Sequence, residues 1–294
     1  MLEIKGISKT YGDRRVLDGV SFAVKSGCLT GFVGANGAGK TTTMRSILGI
    51  VEPEQGQVLV DGKPIGPRDR ARFGYMPEER GLYAKMRILE QVAYFGELHG
   101  LPATKATKNA KSLLTELGLG ERLNDKLQDL SLGNQQRVQI AATLVHEPQY
   151  LMLDEPFSGL DPVAVDVVLS VLQRFAAAGV PVLFSSHQLD VVERLADDLV
   201  IIANGQIRAS GARLELQAEH SRGLYDITTD GDAGWMREAA GIEVIDFDRG
   251  SATVRATDEH SIQALLREAM NRGQVLSFGP RIEKLSTIYK EVVR

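Results

Sequence analysis

A glycine-rich octapeptide, GANGAGKT at residues 34–41, constrains this chain more than any other segment. It follows a short apolar run, LTGFV, and precedes a run of helical character that extends to Ile50. Its spacing matches G-x-x-x-x-G-K-[ST], in which a loop between a strand and a helix surrounds phosphate with backbone N–H groups. The sequence therefore predicts a strand, loop and helix that together bind a nucleotide.

The residue types of this loop suit contact with phosphate. Its glycines permit a tight turn, and the helix that follows adds the positive end of its dipole. We expect Lys40 to contact the β- and γ-phosphates and Thr41 to offer its hydroxyl to Mg²⁺. A Rossmann dinucleotide site is the nearest alternative, but it has no place for Lys40, and no clear G-x-G-x-x-G ends the strand. The loop residues expected to bind the nucleotide are Gly34, Asn36, Gly37, Gly39, Lys40, Thr41 and Thr42.

Two further apolar runs end in polar residues that suit phosphate chemistry. The run QYLML is followed by Asp154 and Glu155, and the run VLFSS is followed by His187. In open α/β sheets, ligands bind at the carboxyl ends of the strands. We expect Asp154 to hold Mg²⁺, Glu155 to act as the general base on the attacking water, and His187 to hydrogen-bond the γ-phosphate or that water. Together with Lys40 they are the candidate catalytic residues, although an acidic helix cap and a structural histidine are the simpler alternatives.

Composition bounds the class of protein. The 294 residues carry a net charge of -4 and are 43% hydrophobic and 24% charged, which is typical of a folded globular protein and not of a chain built to hold nucleic acid. The lone Cys28 excludes an intrachain disulfide and fits a reducing compartment. No apolar run reaches the roughly 18 residues of a membrane span, and the N-terminus does not read as a signal peptide. We expect a cytoplasmic protein.

The order of strands and helices indicates an α/β fold. Apolar strands alternate with helical segments, which predicts a parallel sheet covered by helices. The pattern is helical from about residue 86 to 147, and LVIIANGQIRASG predicts a closing hairpin around Asn204-Gly205. The pattern of predicted strands and helices changes after about Gly211, so we expect one domain over residues 1–210 and a second over residues 211–294. The second reads βαββαβ, the order of a small α+β ferredoxin-like domain, with Trp235 and Met236 of its first helix in the core.

The segment LSLGNQQR at residues 130–137 makes the pattern specific. It resembles the signature LSGGQQQR of the ATP-binding cassette (ABC) ATPases, the motor subunits of ABC transporters. The resemblance covers residues 2 to 210 and implies a nucleotide-binding domain of the phosphate-loop NTPase class, with a mixed sheet core, an antiparallel β subdomain and a helical subdomain. It also implies that Tyr11 stacks on adenine, that Ser131 and Gly133 close over the γ-phosphate of a partner subunit, and that Asp161 of the SGLD loop couples the two sites.

This sequence departs from the ABC pattern at a few positions. Leu132 and Asn134 stand where the signature has Gly and Gln. Glu78, in YMPEERGLY, stands where the family has a Gln that contacts Mg²⁺ and relays to the membrane subunit. A carboxylate there could still meet Mg²⁺ but would be repelled by the phosphates. PEERGLY and the C-terminal extension resemble the sodium-efflux and daunorubicin-resistance type of exporter subunits, which also carry a tail domain.

The resemblance implies a function and its partners. We expect an ATPase that uses ATP and Mg²⁺ and drives a separate integral membrane permease from the inner face of the cell membrane. It is expected to form a head-to-tail dimer with a second ATPase subunit, and the presence of all the motifs in one chain favours a homodimer. Export is favoured over import, and no nucleic acid is expected. A soluble ABC ATPase that remodels ribosomes or nucleic acid is the alternative. It is disfavoured because a single cassette is visible, no long coiled coil is present, and no basic stripe interleaved with aromatics occurs.

Overall fold

A computed structural model of the protein describes residues 1–293. The chain divides into two compact units, one formed by Met1–Arg213 with the last residues from Val292, and one formed by Leu214–Glu291. The strands of the described residues are β1 Leu2–Tyr11, β2 Arg14–Val24, β3 Leu29–Val33, β4 Gln55–Val60, β5 Lys63–Pro64, β6 Phe73–Met76, β7 Tyr150–Leu153, β8 Val182–Ser186, β9 Asp198–Ala203, β10 Gln206–Ala212, β11 Leu224–Thr229, β12 Ile242–Asp248, β13 Ser251–Ala256 and β14 Val275–Pro280.

The helices cover most of the remaining chain. Three short 3₁₀ turns lie at Gly120–Arg122, Leu127–Asp129 and Gly234–Glu238. The α-helices are α1 Lys40–Ile47, α2 Pro67–Arg70, α3 Ile88–Leu98, α4 Ala103–Glu116, α5 Leu132–Leu144, α6 Pro162–Ala177, α7 Leu189–Leu195, α8 Arg213–His220, α9 Glu259–Arg272 and α10 Leu285–Val293.

A six-stranded sheet forms the centre of the first unit. Its order is β10-β9-β3-β8-β7-β6, and every neighbouring pair except β9 and β10 is parallel. Strands β3, β7 and β8 are buried along their whole length, as expected for strands with both faces covered. Because parallel strands end at one edge, the segments that follow β3, β7 and β8 meet there. This confirms the predicted mixed α/β sheet.

A second sheet packs onto the first through a shared core. It is antiparallel, with the order β2-β1-β4-β5. Its apolar face joins the central sheet and α1 in one cluster, in which Phe22 of β2 lies 5.3 Å from Phe32 of β3, ring centre to ring centre. Met44 of α1 is fully buried in the same cluster. The antiparallel subdomain therefore fixes the position of the helix that follows the glycine-rich loop.

The segment predicted as helical, from about residue 86 to 147, contains α3, α4 and α5. Helix α5 begins at Ser131, whose hydroxyl accepts the Asn134 N–H and caps the helix. The helix is buried over most of its length, including two glutamines, Gln136 and Gln139. Buried amide groups need hydrogen-bond partners, and the Nε2 groups of both glutamines donate to carbonyl oxygens in the loops around the end of the central sheet.

The second unit has one four-stranded antiparallel sheet. Its order, β12-β13-β11-β14, is the ferredoxin-like order 4-1-3-2 when its strands are counted along the chain, with α9 packed against three of the strands. The helix predicted around DAGWMREAAG is wrong: the segment is only the 3₁₀ turn Gly234–Glu238. Glycines flank this segment, and the Asp232 carboxylate accepts the Gly234 N–H. This local hydrogen bond favours a turn over a helix.

Candidate functional site

The glycine-rich loop adopts a conformation that glycine alone permits without strain. Gly39 has φ of 112°, and a Cβ there would come within 2.7 Å of the Leu17 side chain. Gly34 has no room either, since a Cβ would lie 2.6 Å from the Ile202 carbonyl oxygen. The tight packing at these positions, with the start of α1 at Lys40, aligns the loop at the carboxyl end of β3.

Lys40 lies inside this loop with its ammonium group held by the backbone. Its Nζ donates to the carbonyl oxygens of Gly34, at 2.7 Å, and Ala35, at 3.3 Å. Burial lowers the pKa of Lys40, while the nearby Glu155, Asp154 and Glu78 raise it in part. A desolvated cation held at the N-terminus of a helix is suited to an anionic ligand.

A cavity of about 380 Å³ opens in front of the loop. It brings together loop residues, the acidic residues after β7 and the acidic residue after β6, as the sequence predicted of one sheet edge. Arg14 and Val16 of β2 also line it, and the sequence reasoning had not found them. The lining residues are Arg14, Val16, Asn36, Gly37, Gly39, Lys40, Thr41, Thr42, Glu78, Asp154 and Glu155.

Both carboxylate oxygens of Asp154 are hydrogen-bonded. Thr41 donates its hydroxyl to Asp154 Oδ2 at 2.7 Å, and Ser185 donates its hydroxyl to Asp154 Oδ1 at 2.5 Å. Asp154 is only 1% exposed, so these two bonds fix its orientation. Sequence reasoning missed Ser185, whose signal was that it is the first of the two serines that end the apolar run VLFSS.

The donor set around Thr41 and Asp154 suits Mg²⁺. A hydroxyl and a carboxylate are hard oxygen ligands, and Mg²⁺ in nucleotide sites takes one or two such groups together with phosphate and water. In residues 1–293, no three His, Cys, Asp or Glu side chains lie close enough together to bind a metal ion.

Glu155 is held in an unusual position by three neighbours. Its backbone φ is 52°, in the left-handed region, and its N–H donates to Ser185 Oγ at 2.9 Å. Its Oε1 lies 2.9 Å from Nδ1 of His187, which follows β8. Gln136 of α5 donates to the carbonyl oxygens of Glu155 and Pro156, at 3.1 and 3.2 Å. This network holds the carboxylate beside the phosphate loop.

The environment of Glu155 favours a carboxyl group that can take up a proton. Burial raises the pKa of Glu155, and the hydrogen bond to His187, with the nearby charges of His187 and Lys40, lowers it in part. A general base works best when its pKa lies close to the working pH. The pair of Glu155 and His187 is therefore suited to accept a proton from water in the cavity.

The segment around Glu78 is tied to α5. Gln139 donates to the carbonyl oxygens of Pro77, at 2.8 Å, and Glu79, at 3.3 Å, on either side of Glu78. Arg80 donates to Gln136, the same side chain that holds the carbonyls of residues 155 and 156. Glu78 thus lines the cavity on a backbone that is linked to the Glu155 segment through one helix.

The remaining predicted site residues do not line this cavity. Tyr11 ends β1 with half of its surface exposed. Ser131 and Gly133 lie at the start of α5, where a Cβ on Gly133 would come within 3.2 Å of the Gly159 carbonyl oxygen. Asp161 caps α6 by accepting the Ala164 N–H at 2.8 Å. Ser131, Gly133 and Asp161 belong to surfaces apart from the cavity of their own chain, whereas Tyr11 is paired with Arg14, which lines it.

None of the helices in residues 1–293 is both long and apolar enough to cross a membrane. Two families match separate segments of the chain. Residues 17–158 match the family described as ABC transporter, and residues 211–293 match the family described as ATP-binding protein DrrA1-3-like, C-terminal domain.

Individual relatives agree with these families. The uncharacterized ABC transporter ATP-binding protein YhaQ of Bacillus subtilis is 33% identical over 293 residues, 100% of this chain and 98% of YhaQ. The Nod factor export ATP-binding protein I of Ralstonia nicotianae is 35% identical over 79% of this chain and 73% of its own. A solved structure of an ATP-binding subunit of an ABC transporter has a TM-score of 0.68 and 34% identity, covering 75% of this chain and 93% of that one. The chain belongs to the family of ABC transporter ATP-binding proteins, and it is an ATPase.

Proposed function

We propose that this protein is the motor subunit of an ABC exporter, in which ATP closes a dimer of two copies and hydrolysis reopens it to drive a separate membrane permease. The observation that carries the proposal is the arrangement of Glu155. Its carboxylate lies beside Lys40 in the phosphate-loop cavity, bonded to His187 and supported by Ser185 and Gln136.

Each side chain of the site has a separate role in ATP hydrolysis. Lys40 and the loop N–H groups bind the β- and γ-phosphates, and Tyr11 stacks on adenine. Asp154 and Thr41 would hold Mg²⁺, with Glu78 as a further oxygen ligand at the cavity wall, and the ion would supply positive charge against the phosphates. Glu155 accepts the proton of the attacking water, while His187 orients Glu155 and hydrogen-bonds the γ-phosphate.

Dimer closure would give a role to Ser131, Gly133 and Asp161, which lie apart from the cavity of their own chain. Ser131 and Gly133 are at the N-terminus of α5, a helix of 13 residues whose dipole favours an anion. Their own chain holds its phosphate loop elsewhere, so they are free to close over the nucleotide of a partner copy. Asp161 belongs to the same loop as Gly159, whose carbonyl oxygen lies close to Gly133, and can couple the two sites. The γ-phosphate supplies the contact that distinguishes closed from open states.

The permease is proposed to dock a helix against α3 and the loop before it. Tyr83 and Tyr94 are exposed there with their rings 6.4 Å apart, and Leu98 is 61% exposed on the same helix. A cavity of about 240 Å³, lined by Leu82 and Phe95 among others, lies beside them. Exposed apolar groups around a cavity are typical of protein contacts. The hydrogen bonds from Gln139 and Arg80 would carry a movement of this loop toward Glu155.

The direction of transport and the role of the second unit rest on the relatives. The match of residues 211–293 to a DrrA-type domain and the export protein of Ralstonia nicotianae support an exporter attached to the inner face of the cell membrane. We propose that residues 1–210 hold the ATPase and that residues 211–294 form an accessory domain.

The Glu155→Gln variant tests the mechanism. It should bind ATP and accumulate as a dimer in gel filtration with Mg²⁺, with hydrolysis reduced by roughly 10²–10⁴-fold because the general base is lost. Glu79→Gln, an exposed neighbour of Glu78, serves as the matched control and should hydrolyse ATP like the wild type. Wild-type turnover by Glu155→Gln would refute the role of Glu155. A wild-type protein that binds RNA in a salt-sensitive way, without co-purifying a multi-span membrane protein, would favour the ribosome-remodelling alternative.

A further inference from the structure

The hairpin between β1 and β2 ends at the mouth of the nucleotide cavity. Tyr11 and Arg14 are paired across its two-residue turn, in which Gly12 has φ of 58°. Residues directly opposite each other on paired strands project from the same face of a sheet and lie about 5 Å apart at Cβ. Arg14 therefore leaves the hairpin on the same side as Tyr11.

The Arg14 side chain extends from this hairpin to the glycine-rich loop. Its Nη2 lies 3.9 Å from the position that a Cβ on Gly37 would occupy, and Arg14 lines the same cavity as Lys40 and Thr41. A ligand that joins Tyr11 at one end to the loop at the other would pass next to the guanidinium group.

Unlike the adjacent Arg15, Arg14 has no ion-pair or hydrogen-bond partner among the described residues. Among residues 1–293, its guanidinium makes no salt bridge and no hydrogen bond, although Arg15 binds Asp18 at 2.7 Å and Ser8 at 3.4 Å. Two arginines that are adjacent in sequence are thus used differently. Arg15 stabilises the hairpin, whereas Arg14 presents its charge to the cavity.

The cavity has more acidic than basic side chains, so a second cation would favour the binding of an anionic ligand. Lys40 is the other basic side chain that lines it, against the three carboxylates of Glu78, Asp154 and Glu155. A polyphosphate adds further negative charge when it enters. A guanidinium group has several N–H donors in a fixed planar geometry and can bind two phosphate oxygens at once. Arg14 is placed to offset the added charge on the solvent side of the loop.

We propose that Arg14 is a nucleotide-binding residue that contacts the phosphate chain of ATP between the base, at Tyr11, and the glycine-rich loop. The contact is additional to those of Lys40 and the loop, and it determines affinity for the polyphosphate part of the nucleotide and not for the base.

Equilibrium binding of ATP and of inorganic tripolyphosphate to the full chain tests this assignment. Arg14→Ala should weaken both ligands by about tenfold, which corresponds to ~1.4 kcal/mol. Arg14→Lys should recover part of the affinity because it keeps the charge but loses the paired donors. Arg15→Ala is the matched control and should bind both ligands within about twofold of the wild type, since Arg15 is engaged with Asp18.

Three results would overturn the proposal. Unchanged affinity of Arg14→Ala for both ligands would show that Arg14 does not touch the nucleotide. Loss of affinity for ATP without loss for tripolyphosphate would assign Arg14 to the base or ribose. Equal weakening by Arg14→Ala and Arg15→Ala would reduce the effect to a general surface potential. The ATPase assignment is tested separately, because it fails only if the wild type itself binds no ATP.

Discussion

Ser185 offers the most direct test of how the Asp154 carboxylate and the Glu155 backbone are held at the cavity. Its hydroxyl is fully buried and makes two hydrogen bonds, donating to Asp154 Oδ1 and accepting the Glu155 N–H. Ser185→Ala removes both bonds and adds no bulk. It also leaves the Glu155 N–H without its acceptor inside the protein. The sequence alone assigns no role to this residue, so the prediction depends on the tertiary structure.

The size of the effect follows from the two bonds. A hydrogen bond to a charged group contributes roughly 1.5–3 kcal/mol and a neutral one roughly 0.5–1.5 kcal/mol, so the variant should lose about 2–4.5 kcal/mol of unfolding free energy. For a folding unit of roughly 150–250 residues, each kcal/mol lowers Tm by roughly 2–4 °C, which gives a decrease of roughly 4–18 °C. The looser carboxylates should lower kcat by about tenfold, equivalent to ~1.4 kcal/mol of activation free energy.

Thermal unfolding, ATP binding and phosphate release measure these quantities. We expect Ser185→Ala to keep most of its affinity for ATP, because its hydroxyl does not contact the glycine-rich loop, while Tm and kcat decrease together. Ser170→Ala is the control, since its hydroxyl is exposed on α6 and bonds only the Val167 carbonyl within its own helix. A Ser185→Ala variant as stable as Ser170→Ala would refute the proposed hydrogen-bond network.

Two predictions concern pH. His187→Ala should move the acidic limb of the kcat profile to higher pH, because the hydrogen bond from His187 lowers the pKa of Glu155, and an unmoved limb would contradict that contact. His146 stacks on His99 at 3.7 Å, and burial, together with the His99 charge, lowers the pKa of His146 to about 4. Folding favours the neutral form of His146. The contribution of His146 to the free energy of unfolding is therefore fully present above about pH 6.5 and is lost as pH falls toward 4. Urea unfolding at pH 7 and 4.5 should show a smaller decrease in the free energy of unfolding for His146→Phe than for the wild type. An equal decrease in both proteins would contradict the prediction.

The part of the site that could be predicted from sequence is the part carried by contiguous residues. The loop from Gly34 to Thr41 contains its own glycines, its own cation and its own helix start, so the pattern is sufficient to identify it. Asp154 and Glu155 could be predicted because they follow an apolar strand that must end at the same sheet edge. The order βαββαβ of the second unit was predicted from the succession of strand and helix patterns along the chain, and only its first helix was wrong.

The part that could not be predicted depends on contacts between distant segments. Ser185 serves Asp154 from 31 residues away, and Arg14 approaches Gly37 from a different sheet. Gln136 lies in the signature segment, yet its role in holding the carbonyls of Glu155 and Pro156 is visible only when α5 is packed against the sheet. The helix predicted near Trp235 failed because a local helical pattern did not account for the short span between two turns.

By itself, the sequence determined the family, the phosphate loop and the identity of the acidic residues, because these depend on neighbours along the chain and on the periodicity of strands and helices. The tertiary structure decided how those residues are oriented and charged. It placed the Ser185 hydroxyl between the Asp154 carboxylate and the Glu155 N–H, raised the pKa of Glu155 by burial and left Arg14 without an ion-pair or hydrogen-bond partner among the described residues. Orientation and burial arise from packing between segments that are far apart in sequence, and they therefore appear only in the folded chain.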